Sequence, residues 1–335
     1  MISRQKEILH ILVAASFMCL NILFFSPFIT ECIAEKYPEK PIKLYIGHPP
    51  GGGSGRIAQI IIPTFKKYLP KPQPILSEFK PGASMAIAAD FVLKQPKDGY
   101  SLFLVHPDLI AKFAKDADMF SFKLQDFVFI GAIGESPVIL IVNSESPFKT
   151  LEDFLKSAKE NPGKLSYASA GVASVNHVNG EVFQSVCGIK LRHVPFVGGA
   201  AMKAALMGKH VDSIQIAYSS VGASVFKPGG GLRALATFAK DRWPALSDTP
   251  TAFEKGYDIV RSSWYYLAAA KGTPETVLGI WSKILEKAAG DSDMKDKLLK
   301  QGFIPLKLSP AQTQKRSQLE FDANREIFKK AGLLK

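Results

Sequence analysis

The sequence predicts an α/β protein of two lobes, and three observations carry that expectation. Short β-rich runs alternate with amphipathic helical stretches, the pattern of parallel sheets covered by helices on both faces. Beyond an N-terminal leader about 300 residues remain, enough for two domains of ordinary size. Glycine- or serine-bearing turns recur just after strand-like runs, where open α/β sheets bind their ligands.

The chain opens with "MISRQKEILH", carrying Arg4 and Lys6, and continues into a strongly apolar segment that ends in the small residues around Cys32 to Ala34. That order of charge, apolar run and small residues reads as an export signal over residues 1–34. The apolar run is also long enough to act as an uncleaved membrane tether. Cys19 and Cys32 fall within it, so Cys187 is the one cysteine of the remaining chain. It is expected to be a buried, unreactive thiol, and no disulfide is expected. Arg4, Lys6, Glu7 and Glu31 cancel, so the mature chain keeps the whole formal charge of +12. Its lysines are scattered without interleaved aromatics, which argues against a nucleic-acid groove and for an anionic ligand or a basic surface.

The first strand-like run, "IKLYIG", leads through Pro49-Pro50 into Gly51, Gly52 and Gly53 before a helix starts. Glycine costs backbone entropy, so three together indicate close approach of something to the main chain. Backbone N–H groups at a helix N-terminus are also a ready anion site. Next come "PILSEF", the helical "MAIAADFVLKQ", "YSLFLV", and two separate strand-like runs, "FVFIGAI" and "VILIVN". Thr150 with Asp153 forms a capping box for "LEDFLKSAKEN", which Asn161-Pro162-Gly163 ends. "KLSYAS", "VNHVNGEVFQSVC", "KLRHVPF", "AAMKAALMG", "SIQIA" and "LRALATF" continue the alternation. From Thr273 onward the chain reads as nearly all helix, with Pro274 and Pro310 near helix starts.

Several catalytic patterns almost appear. Gly47 to Ser54 spaces like a phosphate loop, but Gly53 stands where the lysine is needed. Gly53 to Ala58, with Glu78 downstream, fits a relaxed dinucleotide fingerprint, but Pro49-Pro50 lengthens the turn. Gly82-Ala83-Ser84-Met85-Ala86 resembles a nucleophile elbow, so an exported serine hydrolase using Ser84 is the enzymatic alternative. Nothing singles out its partners among Asp98, Asp212, His193 and His210. The six histidines show no metal-ligand spacing, and neither a metal nor a cofactor is expected. What remains are the turns Gly51 to Gly53, Gly82 to Ser84, Ser169 to Ser174 and Gly198-Gly199, material for anion-binding nests. The simplest reading is a non-enzymatic exported receptor that closes over a small anion.

These turns carry a family likeness. "PPGGGSGRIA", "FKPGASMAIAADFVLKQPKDGYSLFL", "NPGKLSYASAGVASVNHVNGEVF", "HVPFVGGAAMKAALMGKHVD", "GLRALATF", "RWPALSDTPTAFEKGYD" and "SSWYYLAAAKGTP" occur in that order. Together they resemble the periplasmic substrate-binding receptors of tripartite tricarboxylate transporters, the Bug receptors, over essentially the whole mature chain. The resemblance implies a two-lobed type II periplasmic-binding fold with a double crossover and an interlobe cleft. Crossovers near "AIGESPVIL" and "VRSSWYYL" would place residues 35–134 and 265–335 in one lobe and 135–264 in the other. It further implies a ligand carboxylate held by backbone N–H groups, hydroxyls and ordered water. The residues expected at the ligand are His48, Pro50, Gly51, Gly52, Gly53, Ser54, Ser84, Met85 and His106 on one side. On the other they are Ser169, Ala170, Gly171, Ser174, Gly198, Gly199 and Ile216.

The implied partners are a small organic carboxylate and the membrane subunits of a tripartite transporter. A periplasmic monomer is expected, and a sensor for a signalling partner is the other non-enzymatic alternative. The chain also departs from the pattern it resembles. Gly55 and Ile216 stand where aspartates are usual, His48 where an aromatic is usual, and Ser84, Met85 and Ala86 where two glycines and an asparagine are usual. Fewer carboxylates favour a more negative ligand. A di- or tricarboxylate, or a carboxylate with an apolar body packing on Ile216 and Met85, is expected over an amino acid.

Overall fold

In the computed structural model, residues 36–222, 226–227 and 229–334 are described, and the expected export signal lies outside them. Among the described residues no helix is long and apolar enough to cross a membrane. In chain order the first lobe is built from β1 (Ile42–Ile46), α1 (Gly53–Tyr68), β2 (Ile75–Phe79), α2 (Ala86–Leu93), β3 (Ser101–Val105) and α3 (Pro107–Asp116). β4 (Phe127–Asn143) then runs on into the second lobe, which holds α4 (Leu151–Glu160), β5 (Ser166–Ser169), α5 (Val175–Cys187), β6 (Arg192–Pro195), α6 (Gly198–Met207), β7 (Ser213–Ala217), α7 (Tyr218–Val221) and β8 (Leu232–Thr237). β9 (Ser262–Ala270) brings the chain back, followed by α8 (Glu275–Gly290), α9 (Ser292–Lys300), β10 (Ile304–Leu308) and α10 (Pro310–Lys330).

The pairing of these strands is the double crossover. In the first lobe the order is β2-β1-β3-β9-β4, and in the second it is β6-β5-β7-β4-β8. The two halves repeat one plan. β1 pairs in parallel with β2 and β3, and β5 in parallel with β6 and β7, so helices must carry each crossover. Each lobe takes one antiparallel strand from chain arriving from the other, β9 in the first and the later part of β4 in the second. The two strand-like runs read separately in the sequence are thus one 17-residue strand. It pairs with β9 as far as Pro137 opposite Ser262, and with β7 from Val138 opposite Ala217. We propose the lobe division expected above, 35–134 with 265–335 against 135–264, and this change of partners falls close to it.

Alternation along the strands places the core on both faces of each sheet. In β1, Leu44 and Ile46 pack with Ile61, Phe65 and Trp281, while Tyr45 packs with Phe103, Trp264 and Tyr266 on the opposite face. In β4, Val138, Leu140 and Val142 face Phe154 and Phe183, while Ile139 and Ile141 face Met202 and Leu206. The Thr150 hydroxyl accepts from Asp153 N at 3.1 Å and the Asp153 carboxylate accepts from Thr150 N, closing the capping box that starts α4. Cys187 is buried and free, and burial pushes its thiol pKa up to about 12, which leaves it unreactive.

Besides the merged β4, one more element differs from the sequence reading. β10 interrupts the C-terminal stretch that reads as helix, and pairs antiparallel with β4 through Ile304 opposite Glu135. Its five residues are too few for periodicity to declare, and the long-range partner decides the conformation.

Candidate functional site

The strand ends of the two lobes meet around a cavity of about 270 Å³. The first lobe contributes the loop His48 to Ser54, His106, Asp108 and Tyr265. The second contributes Ala170, Val175, Asn176, Gly199, Ala200, Met202, Lys203, Ile216, Ala217, Ser220 and, at the crossover, Ser263. A larger groove of about 740 Å³ lies on the other face of β9, because alternation sends Ser263 and Tyr265 to the cleft and Ser262 and Trp264 to the groove. There Arg316 pairs with Glu135 and Ser262, and the Trp264 ring N–H with Glu320, while buried donors of Arg261 and Trp243 have no hydrogen-bond partner. The smaller cavity lies where the glycine loop and the strand ends meet the opposite lobe, and it is the candidate site.

Two helices aim uncapped N-termini at it. α1 starts at Gly53 with Gly52 as N-cap and no side-chain cap, and its ladder begins with Arg56 N bonding to Gly52 O at 3.0 Å. The N–H groups of Gly53, Ser54 and Gly55 therefore have no partner within the helix. Gly51, at φ +86°, makes the turn into this start. α6 enters from the other lobe behind Val197, again without a side-chain cap, and presents Gly199 and Ala200 to the cavity. One turn into α6, the half-buried Lys203 ammonium donates to Ser220 O at 3.0 Å. Burial, and secondarily the nearby Arg56, lower its pKa. Arg56 itself reaches across from α1 and donates to Ser219 O at 2.9 Å. Each helix end carries about half a positive charge. The cleft thus opposes two partial positive charges and adds a whole one.

The far wall is a hydrogen-bonded chain. His48 Nδ1 meets Ser54 Oγ at 2.7 Å, and His48 Nε2 meets Asp108 Oδ2 at 2.7 Å. The other Asp108 oxygen accepts from Val175 N at 2.6 Å, at the start of α5 in the opposite lobe. His106 caps α3, its Nδ1 accepting from Asp108 N at 3.2 Å. Burial opposes the Asp108 charge, but His106 and His48 together outweigh it and hold the carboxyl well below its ordinary range. Burial lowers the His106 pKa, against the opposing pull of Asp108. Ser54, His48 and Asp108 are linked in the order of a catalytic triad, but Ser54 is 2 % exposed and the imidazole is turned with Nδ1, not Nε2, to the hydroxyl.

The residues expected at the ligand divide into two groups. His48, Pro50, Gly51, Gly52, Gly53, Ser54, His106, Ala170, Gly199 and Ile216 line the cavity. Ser84, Met85, Ser169, Gly171, Ser174 and Gly198 do not. Met85 is fully buried beneath Gly47 and packs in the core, so no ligand rests on it. Ala83, Ser84 and Met85 all take positive φ, 47°, 49° and 75°, a conformation that glycine adopts without strain and other residues at a cost of about 1–2 kcal/mol each. Ser84 is away from the cavity, and among the described residues no histidine bonds to it, which leaves a hydrolase no base. Ser169 Oγ is held by Gly171 and His193, and Ser174 Oγ caps α5 through His177 N. Gly198 N turns back to Ala170 O. Gly55 does not line the cavity either, and a side chain there would face Phe79 and Pro50.

Two features of the cleft were not legible in sequence. Beside the expected loss of carboxylates at Gly55 and Ile216, Asp108 in the first turn of α3 supplies one that sequence reasoning did not single out. The histidines, without metal-ligand spacing in sequence, nevertheless include two that the fold brings together with Asp108, their donor atoms within 4.8 Å of one another. Lys203, Asn176, Ser220, Ser263 and Tyr265 also reach the cavity without having been foreseen.

Behind the Ser169 to Ser174 loop, His177 and His193 stack with ring centroids 4.0 Å apart and planes 7° apart. Tyr167 lies 4.9 Å beyond His193, Phe328 6.0 Å from His177, and Glu181 accepts from the Tyr167 hydroxyl. Burial pushes both imidazoles down to about 4, with Lys115 adding to the effect on His177, and His177 to that on His193 against the opposing pull of Glu181. Their unfolded value is 6.5, so between about pH 6.5 and 4 the unfolded chain binds protons that the folded chain refuses. Stability from this pair is complete above that window and is lost as pH falls through it, by up to about 1.4 kcal/mol per pH unit for the buried His177 and by less for His193, which solvent screens in part. Thermal unfolding should show the melting temperature dropping from pH 7 to 4, and His177→Gln should flatten the drop. An unaltered profile in the variant would assign the acid sensitivity to other groups.

Comparison with known proteins agrees with this geometry. The model of the tripartite tricarboxylate transporter family receptor matches residues 58–333. Protein BugT of Bordetella pertussis is 27% identical over 284 residues, covering 84% of this chain and 86% of its own. The solved periplasmic binding protein BugD superposes with a TM-score of 0.77 at 26% identity, covering 89% of this chain and 99% of its own. An R. palustris protein, Rpa4515, solved with adipate, superposes with a TM-score of 0.81 at 25% identity, covering 88% of this chain and 98% of its own.

Proposed function

Because the chain belongs to the tripartite tricarboxylate transporter family of receptors, we propose that it captures a small dicarboxylate in the interlobe cleft and passes it to the membrane subunits of a tripartite transporter. As a member it is a solute receptor and not an enzyme. The observation that carries the ligand class is the pair of uncapped helix N-termini, α1 and α6, that face one cavity from opposite lobes beside Lys203. One carboxylate at each end would satisfy the free N–H groups of both helices and draw the lobes together. The adipate held by the R. palustris relative is such a two-ended anion and supports this reading. The cavity, at about 270 Å³, suits a ligand of that size or smaller. Asp108 does not by itself reopen the case for an amino acid, since its carboxylate is already engaged by Val175 N and His48 and holds the two lobes' elements together. The receptor would work in the periplasm as a monomer.

A thermal-shift panel of mono-, di- and tricarboxylates, followed by calorimetry, tests the proposal. Dicarboxylates should raise the melting temperature most, since a ligand of the native state stabilises by mass action. Aspartate or glutamate as the tightest ligand, or no response to any carboxylate, would overturn it.

A further inference from the structure

We infer that His48, His106 and Asp108 form a binding site for one divalent transition-metal ion of the zinc class, opening on the cleft. Their donor atoms lie within 4.8 Å of one another, with His48 Nε2 at 2.7 Å and His106 Nδ1 at 3.3 Å from Asp108 Oδ2. Zinc bound at about 2.0–2.1 Å to nitrogen and 2.0–2.2 Å to carboxylate oxygen holds its ligands roughly 3.3 Å apart. The edge from His106 to Asp108 is already at that length, the hydrogen-bonded edge from His48 to Asp108 has to open from 2.7 Å, and the edge between the two rings has to shorten. All three groups belong to the first lobe. His48 follows β1, His106 follows β3, and Asp108 opens α3, and β1 and β3 are paired neighbours. No movement of the lobes is needed to assemble the donors.

The donor set decides the ion. Two imidazole nitrogens and one carboxylate oxygen suit Zn²⁺, Co²⁺ or Ni²⁺, whereas Mg²⁺ and Ca²⁺ take oxygen ligands. Partners on the far side orient two of the donors, as metal ligands require. Ser54 Oγ holds His48 Nδ1, and Val175 N–H holds Asp108 Oδ1. Without metal, the carboxylate can only accept, so His48 Nε2 carries the proton and Nδ1 accepts from the Ser54 hydroxyl. On metal binding the proton moves to Nδ1, which then donates to Ser54 Oγ, and Nε2 offers its lone pair to the ion. The weak bond from Asp108 N to His106 Nδ1 gives way to coordination. No net proton is gained or lost. All three residues line the cavity, so the ion keeps positions open to it. That a bound carboxylate fills such a position rests on the function proposed above, and the metal site itself does not.

The test uses untagged protein stripped with chelator, titrated with ZnCl₂ by calorimetry and with CoCl₂ by visible absorption. One ion per chain is expected, with the d–d bands of cobalt in a nitrogen–oxygen site. His48→Gln and Asp108→Asn should each weaken uptake by at least about 30-fold while circular dichroism stays unchanged, given that even outer-shell partners are worth about 10–100-fold. His210→Ala, at an exposed histidine, should bind as the parent does. No uptake by the parent protein, or uptake that survives His48→Gln and falls with His210→Ala, overturns the inference. Repeating the carboxylate panel with and without Zn²⁺ separates the two proposals. Carboxylate binding without metal uptake removes the metal site alone, and metal uptake without any carboxylate binding removes the proposed function alone.

Discussion

Gly53→Val is expected to weaken carboxylate binding by more than about 100-fold while both lobes remain folded. A Cβ on Gly53 would overlap the Tyr265 hydroxyl and stand 3.3 Å from Ser220 Oγ and 3.5 Å from Ser219 Oγ. Tyr265 has nowhere to retreat. It is 1 % exposed, with the His106 ring 5.0 Å away on one side and the Phe303 ring 5.6 Å away on another. The overlap with Tyr265 has to be absorbed within the first lobe, by displacing the start of α1 into the cavity, and the displaced helix end then presses on the two serines of the second lobe and holds that lobe away. Gly53 itself is the first helical residue and lies outside the left-handed region, so valine does not break the helix. Overpacking of this kind costs about 1–3 kcal/mol of stability. Calorimetry with a dicarboxylate should therefore find binding lost where the melting temperature falls only a few degrees. Parental affinity in Gly53→Val would mean that the close approach of Ser219 and Ser220 to α1 is not part of the bound state. Gly52 is a different case, because a Cβ there would have only Pro49 O, at 3.9 Å, for company. A valine at Gly52 would occupy ligand space instead of separating the lobes.

What could be read in the sequence was local. The glycine loop announces itself because three residues without side chains sit between a strand and a helix. The capping box at Thr150 and the alternation of buried strands are equally short-range, and they were enough for the fold class. The missed cavity residues owe their place to tertiary contacts. Lys203 looks like any other solvated lysine in "AAMKAALMG" until the rotation of α6 turns it towards Ser220. Asp108 reads as an ordinary first-turn acid of a helix, and only the approach of α5 makes it a bridge between lobes. His48 and His106 are distant in sequence and meet because β1 and β3 pair in parallel. The expected residues that do not line the cavity have a common cause as well. Loop position in the sequence does not give side-chain direction, and Met85 turns inward under Gly47 while Ser174 caps α5.

Those same tertiary contacts set the largest electrostatic effect, which is expected at Lys203. Burial and the neighbouring Arg56 disfavour its charge in the free protein, so the lysine is an under-compensated cation waiting for an anion. A ligand carboxylate beside it would gain a charge-assisted hydrogen bond, worth about 1.5–3 kcal/mol. Lys203→Met keeps the apolar stem and removes the charge, and should weaken dicarboxylate binding by roughly 10- to 100-fold. Lys203→Glu puts a like charge against the ligand in a poorly screened cleft and should weaken it by more than about 1000-fold. Stability should change little. The free Lys203→Met protein should melt close to the parental temperature, because a half-buried, under-compensated charge has been removed at the expense of a single bond to Ser220 O. Paired calorimetry and thermal unfolding separate the two effects. Parental affinity in Lys203→Met would mean that the helix N-termini hold the ligand unaided, and that the lysine serves only to fasten α6 to α7.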